Sequence, residues 1–461
     1  MSTREAGVVV VGGGLAGLAA AWRLHKRGID VRVYEACPRV GGFVGSITTS
    51  DGFVIEEGPG STRGDRGTIA SLIHEVGLGD AIEPSLPAAK TRYIWAKGAI
   101  HALAGSPLSL LKTDLLSRAG KLRLMSEPFR KARREGDPGD ETLAAMLTRR
   151  IGSEAVAMLV DPFVTGVFAG DPERLGVDAF PGLGELERDH GSLFKGMRAK
   201  GGMGGAGIFS LRGGLGTLPN AIAAVLGERI RCGVSVERVR IARHGDAGAG
   251  DARELEVVLR DGEVVRARAV IIATPGREAA AILSKVVARA PLDVLTYLPS
   301  APITRVELGV RESDLARPID GFGLLCASSS PLPDGARSIL GIVFASSVFP
   351  NRAPAGMRSL SVMLGGMRDL DIGQRTDTQL IEQAVAAARA LLGLRGEPVM
   401  THVSRWDQAI PQYQPGHARA IRALRQALPA GIQLAGNYLE GVSVDNVVAS
   451  GFAAADAVAV Y

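Results

Sequence analysis

The sequence predicts a composite of α/β and α+β parts: a parallel-stranded α/β domain assembled from separated stretches of chain, an antiparallel-sheet domain, and a helical insertion. Three observations predict it. Residues 8–35 (VVVVGGGLAGLAAAWRLHKRGIDVRVYE) read as strand, glycine turn, helix, strand and acid in immediate succession. Residues 301–366 alternate strand patterns with turns and carry no helical pattern between them, which favours antiparallel pairing. Residues 107–165 mix leucine at helical spacing with many basic residues, a different composition from either neighbour.

The first of these units has a chemical meaning. Val8 to Val11 form an apolar run, and Gly12, Gly14 and Gly17 follow in G-x-G-x-x-G order. Gly12 permits a tight turn, Gly14 lets backbone approach a pyrophosphate, and Gly17 lets helix and strand pack closely. Leu15, Leu18, Ala19, Trp22 and Leu24 lie on one face of the helix, whose N-terminus offers free N–H groups and positive partial charge to phosphates. Glu35 ends the next strand, eighteen residues past Gly17, where a carboxylate holds a ribose hydroxyl. A dinucleotide is the expected ligand, and at this stage NAD and FAD are both open.

Composition excludes several function classes. The chain of 461 residues is long enough for two or three domains. Its 46% hydrophobic and 22% charged residues are ordinary for a globular protein, while Gly 60 of 461 is about twice the usual share of ~7%. The net charge of +5 is spread along the chain, with no basic block for nucleic acid. Cys37, Cys232 and Cys326 are odd in number and far apart, so neither a disulfide framework nor a metal site is expected, and the seven histidines form no ligand pair. The N-terminal residues are not of signal-peptide type, and no apolar run approaches a membrane span, so a peripheral membrane role is the one that remains.

Further elements follow in order. Arg39, Gly41 and Gly42 make a second glycine turn close behind Glu35; by itself it reads as a hairpin loop, but attached to the first motif it resembles the R-x-G-G segment that follows the ribose acid in two-dinucleotide-binding flavoproteins, a resemblance that favours FAD over NAD. Residues 53–62 (FVIEEGPGST) run from a strand through Glu56 and Glu57, which on their own also read as solvated hairpin acids, into a Gly-Pro-Gly turn, and 68–76 form an amphipathic helix ended by Gly77. Residues 90–103 predict a ribbon turning at Lys97-Gly98, with Arg92, Tyr93 and Trp95 in its first strand; an arginine fork there matches a carboxylate. The segment from 107 to 135 carries Lys112, Arg118, Lys121, Arg123, Arg130, Lys131, Arg133 and Arg134, the composition either of a solvated helix face or of one lying on an anionic membrane. Helices are expected near 140–150 and 153–164, a strand over 230–240, and a hairpin over 253–275 turning at Asp261-Gly262. The loop 244–252 has linker composition. The C-terminal stretch reads as strand, glycine turn and a long small-residue helix with Asp445 or Asn446 near its start.

This order of parts resembles the amine-oxidase-like flavoprotein superfamily, and within it the protoporphyrinogen oxidase family. The likeness runs from end to end. It is carried by TGVFAGD (165–171), FSLRGGLGTL (209–218), GFGLL (321–325), LGIVFASSVFP (340–350), VMLGG (362–366), RWDQAIPQY with GH (405–417) and GNYLEGVSVDN (436–446). The resemblance implies a split, Rossmann-like FAD-binding domain at 1–82, 203–280 and 404–461, an antiparallel-sheet substrate domain at 83–96, 174–202 and 281–403, and a helical, membrane-associating insertion at 97–173. FAD contacts are implied for Gly12, Gly14, Leu15, Ala16, Gly17, Glu35, Ala36, Arg39, Gly42, Gly58, Pro59, Val236, Ala273, Thr274, Trp406, Gly436, Asn437, Gly441, Val442 and Ser443. Substrate contacts are implied for Arg92, as partner of a propionate, for Leu325 and Leu340, as an aliphatic pair on one pyrrole ring, and for Met363, Phe322, Ala169 and Gly170. Departures from the family pattern are Gly60, where some relatives carry a larger residue, Cys37 beside the ribose acid, and Asn446 in place of a cysteine.

The implied activity is the oxygen-dependent, six-electron oxidation of protoporphyrinogen IX to protoporphyrin IX in haem biosynthesis, with hydrogen peroxide as by-product. Hydride would pass from a meso carbon to the flavin in three rounds, with no protein nucleophile and no metal. The rival reading is the same chemistry on coproporphyrinogen III, whose four propionates favour extra cations; a third is a non-catalytic FAD-binding component of a haem-synthesis assembly. Amine oxidases and carotenoid desaturases share the first glycines but not the other segments. Further expectations are a cytoplasmic location with peripheral contact to the inner face of the cell membrane, a homodimer, and handover of product to a ferrochelatase.

Overall fold

The computed structural model describes residues 3–64, 67–104, 113–133, 140–180, 182–200, 207–242, 254–333, 336 and 338–458. The elements that build the site run, in chain order, β1 (Thr3–Val11), α1 (Leu15–Lys26), β2 (Val31–Glu35), β3 (Thr91–Ala96), β4 (Ala99–Ala104), α2 (Asp161–Phe168), β5 (Ile230–Cys232), β6 (Val236–Ile241), β7 (Leu255–Leu259), β8 (Val264–Ile272), β9 (Ser300–Arg311), β10 (Gly323–Cys326), β11 (Ile339–Val343), β12 (Met357–Gly365), β13 (Met400–Pro411), β14 (Ile432–Leu434) and α3 (Val444–Val458).

The first sheet has the strand order β5-β2-β1-β8-β7-β6, with β14 beside the C-terminal half of β8. β5, β2, β1, β8 and β14 run parallel, and β7 and β6 return antiparallel. The valine run of β1 is buried on both faces, as a central parallel strand must be. α1 and α3 cover one face through Leu18, Trp22, Val448 and Phe452, and Leu283, Leu292, Ile421 and Leu424 cover the other. Burying each such large apolar side chain contributes about 1.5–3 kcal/mol. The register aligns three segments that are remote in sequence: Ala273 N–H donates to the Val11 carbonyl (2.8 Å) and Ala435 N–H to the Ile272 carbonyl (2.9 Å). The glycine turns that follow β1 and β14 therefore open on one edge, at the carboxyl ends of the strands, where α/β sheets bind ligands. The expected single strand over 230–240 is two strands, broken at Gly233, whose φ of 73° turns the chain.

The second sheet has the order β13-β9-β12-β11-β10-β3-β4. It is antiparallel except at one junction, where β10 pairs parallel with β3 (Leu324 opposite Tyr93); the strands within 301–366 pair antiparallel with one another, as their sequence predicts. Short turns force neighbours in sequence to run antiparallel, but the β3–β4 hairpin arrives from more than two hundred residues upstream and is free of that constraint. The hairpin itself turns at Lys97-Gly98 with φ of 53° and 76°, as its sequence predicts. Strand periodicity divides the residues of the second sheet. Val306, Leu308, Val310, Leu324, Ile342, Leu360, Val362 and Leu364 pack with the helix Asp377–Leu392. Alternate positions face the other way, towards the first-sheet domain and the helical insertion.

The insertion has its own core around Leu143, Met146, Leu147, Val156 and Val164. Glu127 and Arg150, both 0% exposed, are ion-paired in it. The described part of the basic segment is less helical than expected: it contains the short helix Arg118–Met125 and a single turn at Glu127–Phe129. Lys112, Arg134 and the linker-like loop 244–252 lie outside the described residues. The helical run 153–168 is interrupted by a π-helical turn at Val156–Val160, which leads into α2 and the site.

Candidate functional site: a flavin groove against an apolar sheet face

At the edge of the first sheet the two glycine turns lie against each other. Gly41 N–H donates to the Gly13 carbonyl (2.8 Å), and Gly14 pairs with Gly41 as an isolated bridge. A Cβ on Gly17 would overlap the Gly12 carbonyl, which explains that glycine as close packing. Gly14 differs: a Cβ there meets only the Gly42 Cα, at 4.0 Å, and otherwise points into open space. Gly14 is also the N-cap of α1 and no side chain caps that end, so the first-turn amides at Leu15 and Ala16 are open to an anion. Glu35 is held by Gly13 N–H on Oε2 (2.6 Å) and Cys37 N–H on Oε1 (2.7 Å), with lone pairs left for hydroxyl donors. Ala36 is exposed beside it. Val236 lies two residues past Val234, whose N–H donates to the Glu35 carbonyl (2.9 Å). Next to Ala273, the Thr274 hydroxyl is buried without a hydrogen-bond partner among the described residues. An open backbone cradle, an uncapped helix start, an oriented acid and an orphaned hydroxyl together fit a dinucleotide.

The far end of the groove is built from three further segments. Arg39 pairs with Glu57 (3.1 Å) and lies 6.0 Å from the Trp406 ring centroid. Trp406 Nε1–H donates to the Glu57 carbonyl (2.7 Å), and its ring meets Phe43 edge-on at 5.0 Å. The loop Glu57–Gly58–Pro59 thus sits between the R-x-G-G turn and β13. Glu56, left open in sequence as a solvated hairpin acid, is 4% exposed. It accepts from Ser46 Oγ (2.5 Å) and Leu215 N–H (3.1 Å) and pairs with Arg352 at 3.4 Å. Burial pushes its carboxyl up, against the pull of Arg352 and Ser46.

The C-terminal turn closes the groove. Tyr413, 1% exposed, donates its hydroxyl to the Asn437 carbonyl (2.5 Å) and accepts from Gly441 N–H (3.0 Å), so one side chain fixes both ends of the Asn437–Gly441 turn. Gly436 N–H donates to Ser450 Oγ (3.0 Å). Ser443 accepts from Asn446 N–H (3.2 Å) and so caps α3, with Val442 just before it. Asp445 serves elsewhere: it accepts from Ile69 N–H (2.8 Å), at the start of the helix Thr68–Glu75.

The second sheet presents one face to this groove. Cross-strand register lines up Ser404, Arg305, Met363, Gly341, Leu325 and Ile94 in a row, with Trp406 opposite Ile303 next to it. Leu340 reaches the same side through a β-bulge: Ile339 pairs with Leu364 and Gly341 with Met363, so Leu340 is the extra residue, and it packs with Ala169. α2 crosses this face at Gly166, where a Cβ would overlap Leu325. It ends at Ala169, which is left-handed at φ 49°, a strained conformation for a residue with a Cβ. Met367 N–H holds the Ala169 carbonyl (2.8 Å), and Gln412 Nε2 holds that of Phe168 (3.0 Å). A Cβ on Gly170 would meet Gln412 Oε1 at 2.6 Å. Phe322 lines a cleft with Glu56, Gly60, Arg305, Phe349 and Arg352. Arg92 lies over the Phe322 ring at 5.3 Å, and burial, then the neighbouring Arg63, lowers its pKa from the usual arginine value.

The structure brings Gly12, Gly14, Gly17, Glu35, Arg39, Gly42 and the Glu57–Pro59 loop together at the edge of the first sheet, and Leu325, Leu340, Met363 and Ala169 together on one face of the second. Arg305, Glu307, Ser361, Arg352, Tyr413 and Gln412 were not anticipated. Two sequence signals bear on them: alternation in TRVELGV puts Arg305 and Glu307 on one strand face, and Gln412 and Tyr413 fall inside the RWDQAIPQY segment.

The chain matches the family of flavin containing amine oxidoreductases over residues 15–459, and it belongs to that family. Its cofactor is FAD. Within the family its relatives include protoporphyrinogen oxidase of Bos taurus, 34% identical over 97% of this chain and 97% of that one, and of Homo sapiens, 33% identical over the same shares. Coproporphyrinogen III oxidase of Bacillus subtilis is 27% identical, with 98% of each chain covered. A crystal structure from Exiguobacterium, 24% identical with TM-score 0.82, covers 100% of this chain and 99% of that one, and shares its fold. Putrescine oxidase bound to putrescine, 17% identical with TM-score 0.71 and 100% of both chains covered, shares the fold as well.

Proposed function

We propose that this protein is an FAD-dependent porphyrinogen oxidase of haem biosynthesis that converts protoporphyrinogen IX to protoporphyrin IX with dioxygen as acceptor. The observation that carries this reading is the flat, aliphatic face of Leu325, Leu340 and Met363 between Trp406 and Arg92. Arg92 has no ion-pair partner among the described residues and is set back over Phe322. A puckered, apolar tetrapyrrole with propionate arms is complementary to it. When bound, FAD supplies the hydride acceptor and the route of electrons to dioxygen. The chain's own work is positional: Arg92 takes one propionate, the aliphatic row holds the ring face, and the Ala169–Gly170 corner closes the cavity against water. The cofactor and substrate residues named from the sequence, and its division into FAD-binding, substrate-binding and insertion segments, belong to this proposal.

Anaerobic addition of protoporphyrinogen tests it. The flavin absorbance should bleach in a single encounter, and an unbleached flavin would leave only an FAD-binding scaffold. A second reading, coproporphyrinogen III as substrate, is favoured by Arg63, which stands close enough to Arg92 to depress it and supplies a second cation. The same assay with both porphyrinogens separates the two.

The insertion is proposed to rest on the inner face of the cell membrane. Leu122 and Met125, at the end of the helix Arg118–Met125, and Phe129, in the turn that follows it, are 73%, 53% and 89% exposed, next to Arg118, Lys121 and Arg130. No helix among the described residues is long and apolar enough to cross a membrane. Homodimer formation and handover of product to a ferrochelatase complete the proposed setting.

A further inference from the structure

Arg305 stands on the substrate-facing side of the second sheet, 7% exposed and directly opposite Met363. Its Nε donates to Glu307 Oε1 and its Nη2 to Ser361 Oγ (2.7 Å), and Ser361 in turn donates to Glu307 (2.6 Å). The remaining nitrogen, Nη1, crosses out of the sheet to the Gly58 carbonyl, in the loop that borders the flavin groove. That loop is held twice more just before Gly58. Trp406 takes the Glu57 carbonyl, and Arg352, from the same domain as the sheet, pairs with Glu56 while its Nη2 donates to Ser210 Oγ (2.6 Å). Gly60 packs here as well: a Cβ on it would meet Glu56 Cγ at 3.0 Å and lie at ordinary contact distance, 3.8 Å, from Arg305 Nη1.

Stability does not explain this arrangement. A buried arginine–glutamate pair is often replaceable by apolar residues of similar volume without loss of stability, because desolvating both charges offsets their attraction. The pair also interrupts a face otherwise suited to an apolar ring. What the guanidinium does that no apolar residue can do is tie a carbonyl of the flavin loop to the strand that carries Met363.

We propose that Arg305 is a positioning residue: through Gly58 it fixes the 57–59 loop against the substrate sheet and so sets the separation of flavin and porphyrinogen. This rests on the porphyrinogen-oxidase reading for its kinetic consequence, though not for its structural one.

The test uses the purified holoenzyme with Arg305→Met and with the double variant Arg305→Met/Glu307→Leu, which removes both buried charges. Deuterium exchange of peptides spanning residues 56–60 should rise at least tenfold in both variants. The limiting rate of anaerobic flavin reduction should fall at least tenfold while KM changes less than threefold. The double variant should recover the melting temperature lost by the single variant without recovering the reduction rate. A double variant that reduces its flavin at the wild-type rate overturns the proposal, as does unchanged exchange at 56–60. Wild-type flavin that fails to bleach defeats the oxidase reading instead, and the exchange measurement then still decides the role of Arg305.

Discussion

The guanidinium of Arg92 lies 5.3 Å above the centroid of Phe322, half-buried and without an ion-pair partner among the described residues. A cation in that setting has lost water and gained only a ring face, worth about 0.5–1 kcal/mol when exposed and up to ~2 when desolvated. A carboxylate arriving there is correspondingly well bound.

Arg92→Ala is therefore expected to weaken porphyrinogen binding by about 2–3 kcal/mol, the loss of one charge-assisted pair. Steady-state kinetics should show KM raised some tens-fold, with the flavin spectrum of the resting protein unchanged. An unaltered KM would remove Arg92 from the site.

The Thr274 hydroxyl, buried and unpaired among the described residues, has the opposite signature from an ordinary structural hydroxyl. Thr274→Val should leave the FAD-free protein as stable as the wild type or more so, because an unsatisfied buried group costs about 1–3 kcal/mol. FAD affinity, measured by quenching of flavin fluorescence on reconstitution, should fall by about 0.5–1.5 kcal/mol. Equal affinity in the two proteins would mean that the hydroxyl does not meet the cofactor.

His417 stacks on Tyr413 with ring centroids 4.0 Å apart, and its Nε2 lies 2.8 Å from the Tyr438 carbonyl, to which it donates. Burial lowers its pKa from 6.5, outweighing the Tyr438 bond and Asp178, which raise it. A depressed folded pKa means that the folded state prefers neutral histidine. Its contribution to stability is present above pH ~6.5 and is lost as pH falls through the folded value. Melting temperature between pH 7.5 and 5.5 should drop less steeply in His417→Gln than in the wild type. Parallel slopes would show that His417 is not the group responsible.

Leu122, Met125 and Phe129 are the side chains on which membrane attachment is expected to depend. Each apolar side chain withdrawn from water contributes about 1.5–3 kcal/mol. The double variant Leu122→Ser/Phe129→Ser should lose flotation with anionic vesicles while retaining FAD and anaerobic flavin reduction. Wild-type protein that stays unfloated at low salt would return this surface to the class of solvated helix faces.

Much of the flavin groove is legible in sequence because its logic is local. Gly12, Gly14 and Gly17 do their work within one strand–turn–helix unit, and Glu35 is carried to its place by the next strand. The ribbon that bears Arg92 is equally local, since Lys97-Gly98 and the alternation around it specify a hairpin. Leu340 is a harder case: simple alternation would turn it away from Gly341, and only the bulge opposite Met363 brings both to one side. Arg305, Glu56 and Tyr413 carry no such pattern, because their partners (Gly58, Arg352, and the Asn437–Gly441 turn) are distant in the chain.

By itself, then, the sequence determined the ligand class, the two-sheet plan and the chemistry expected at each end of the groove, because turns, helix starts and strand periodicity are short-range consequences of residue type. The tertiary structure alone decided which segments meet. It set the direction of β3 beside β10, turned Glu56 from a candidate surface acid into a buried one, gave Asp445 to a helix other than its own, and brought Arg305 to Gly58. These outcomes depend on the packing of whole sheets against each other, where long-range burial and hydrogen-bond satisfaction outweigh any local preference of the chain.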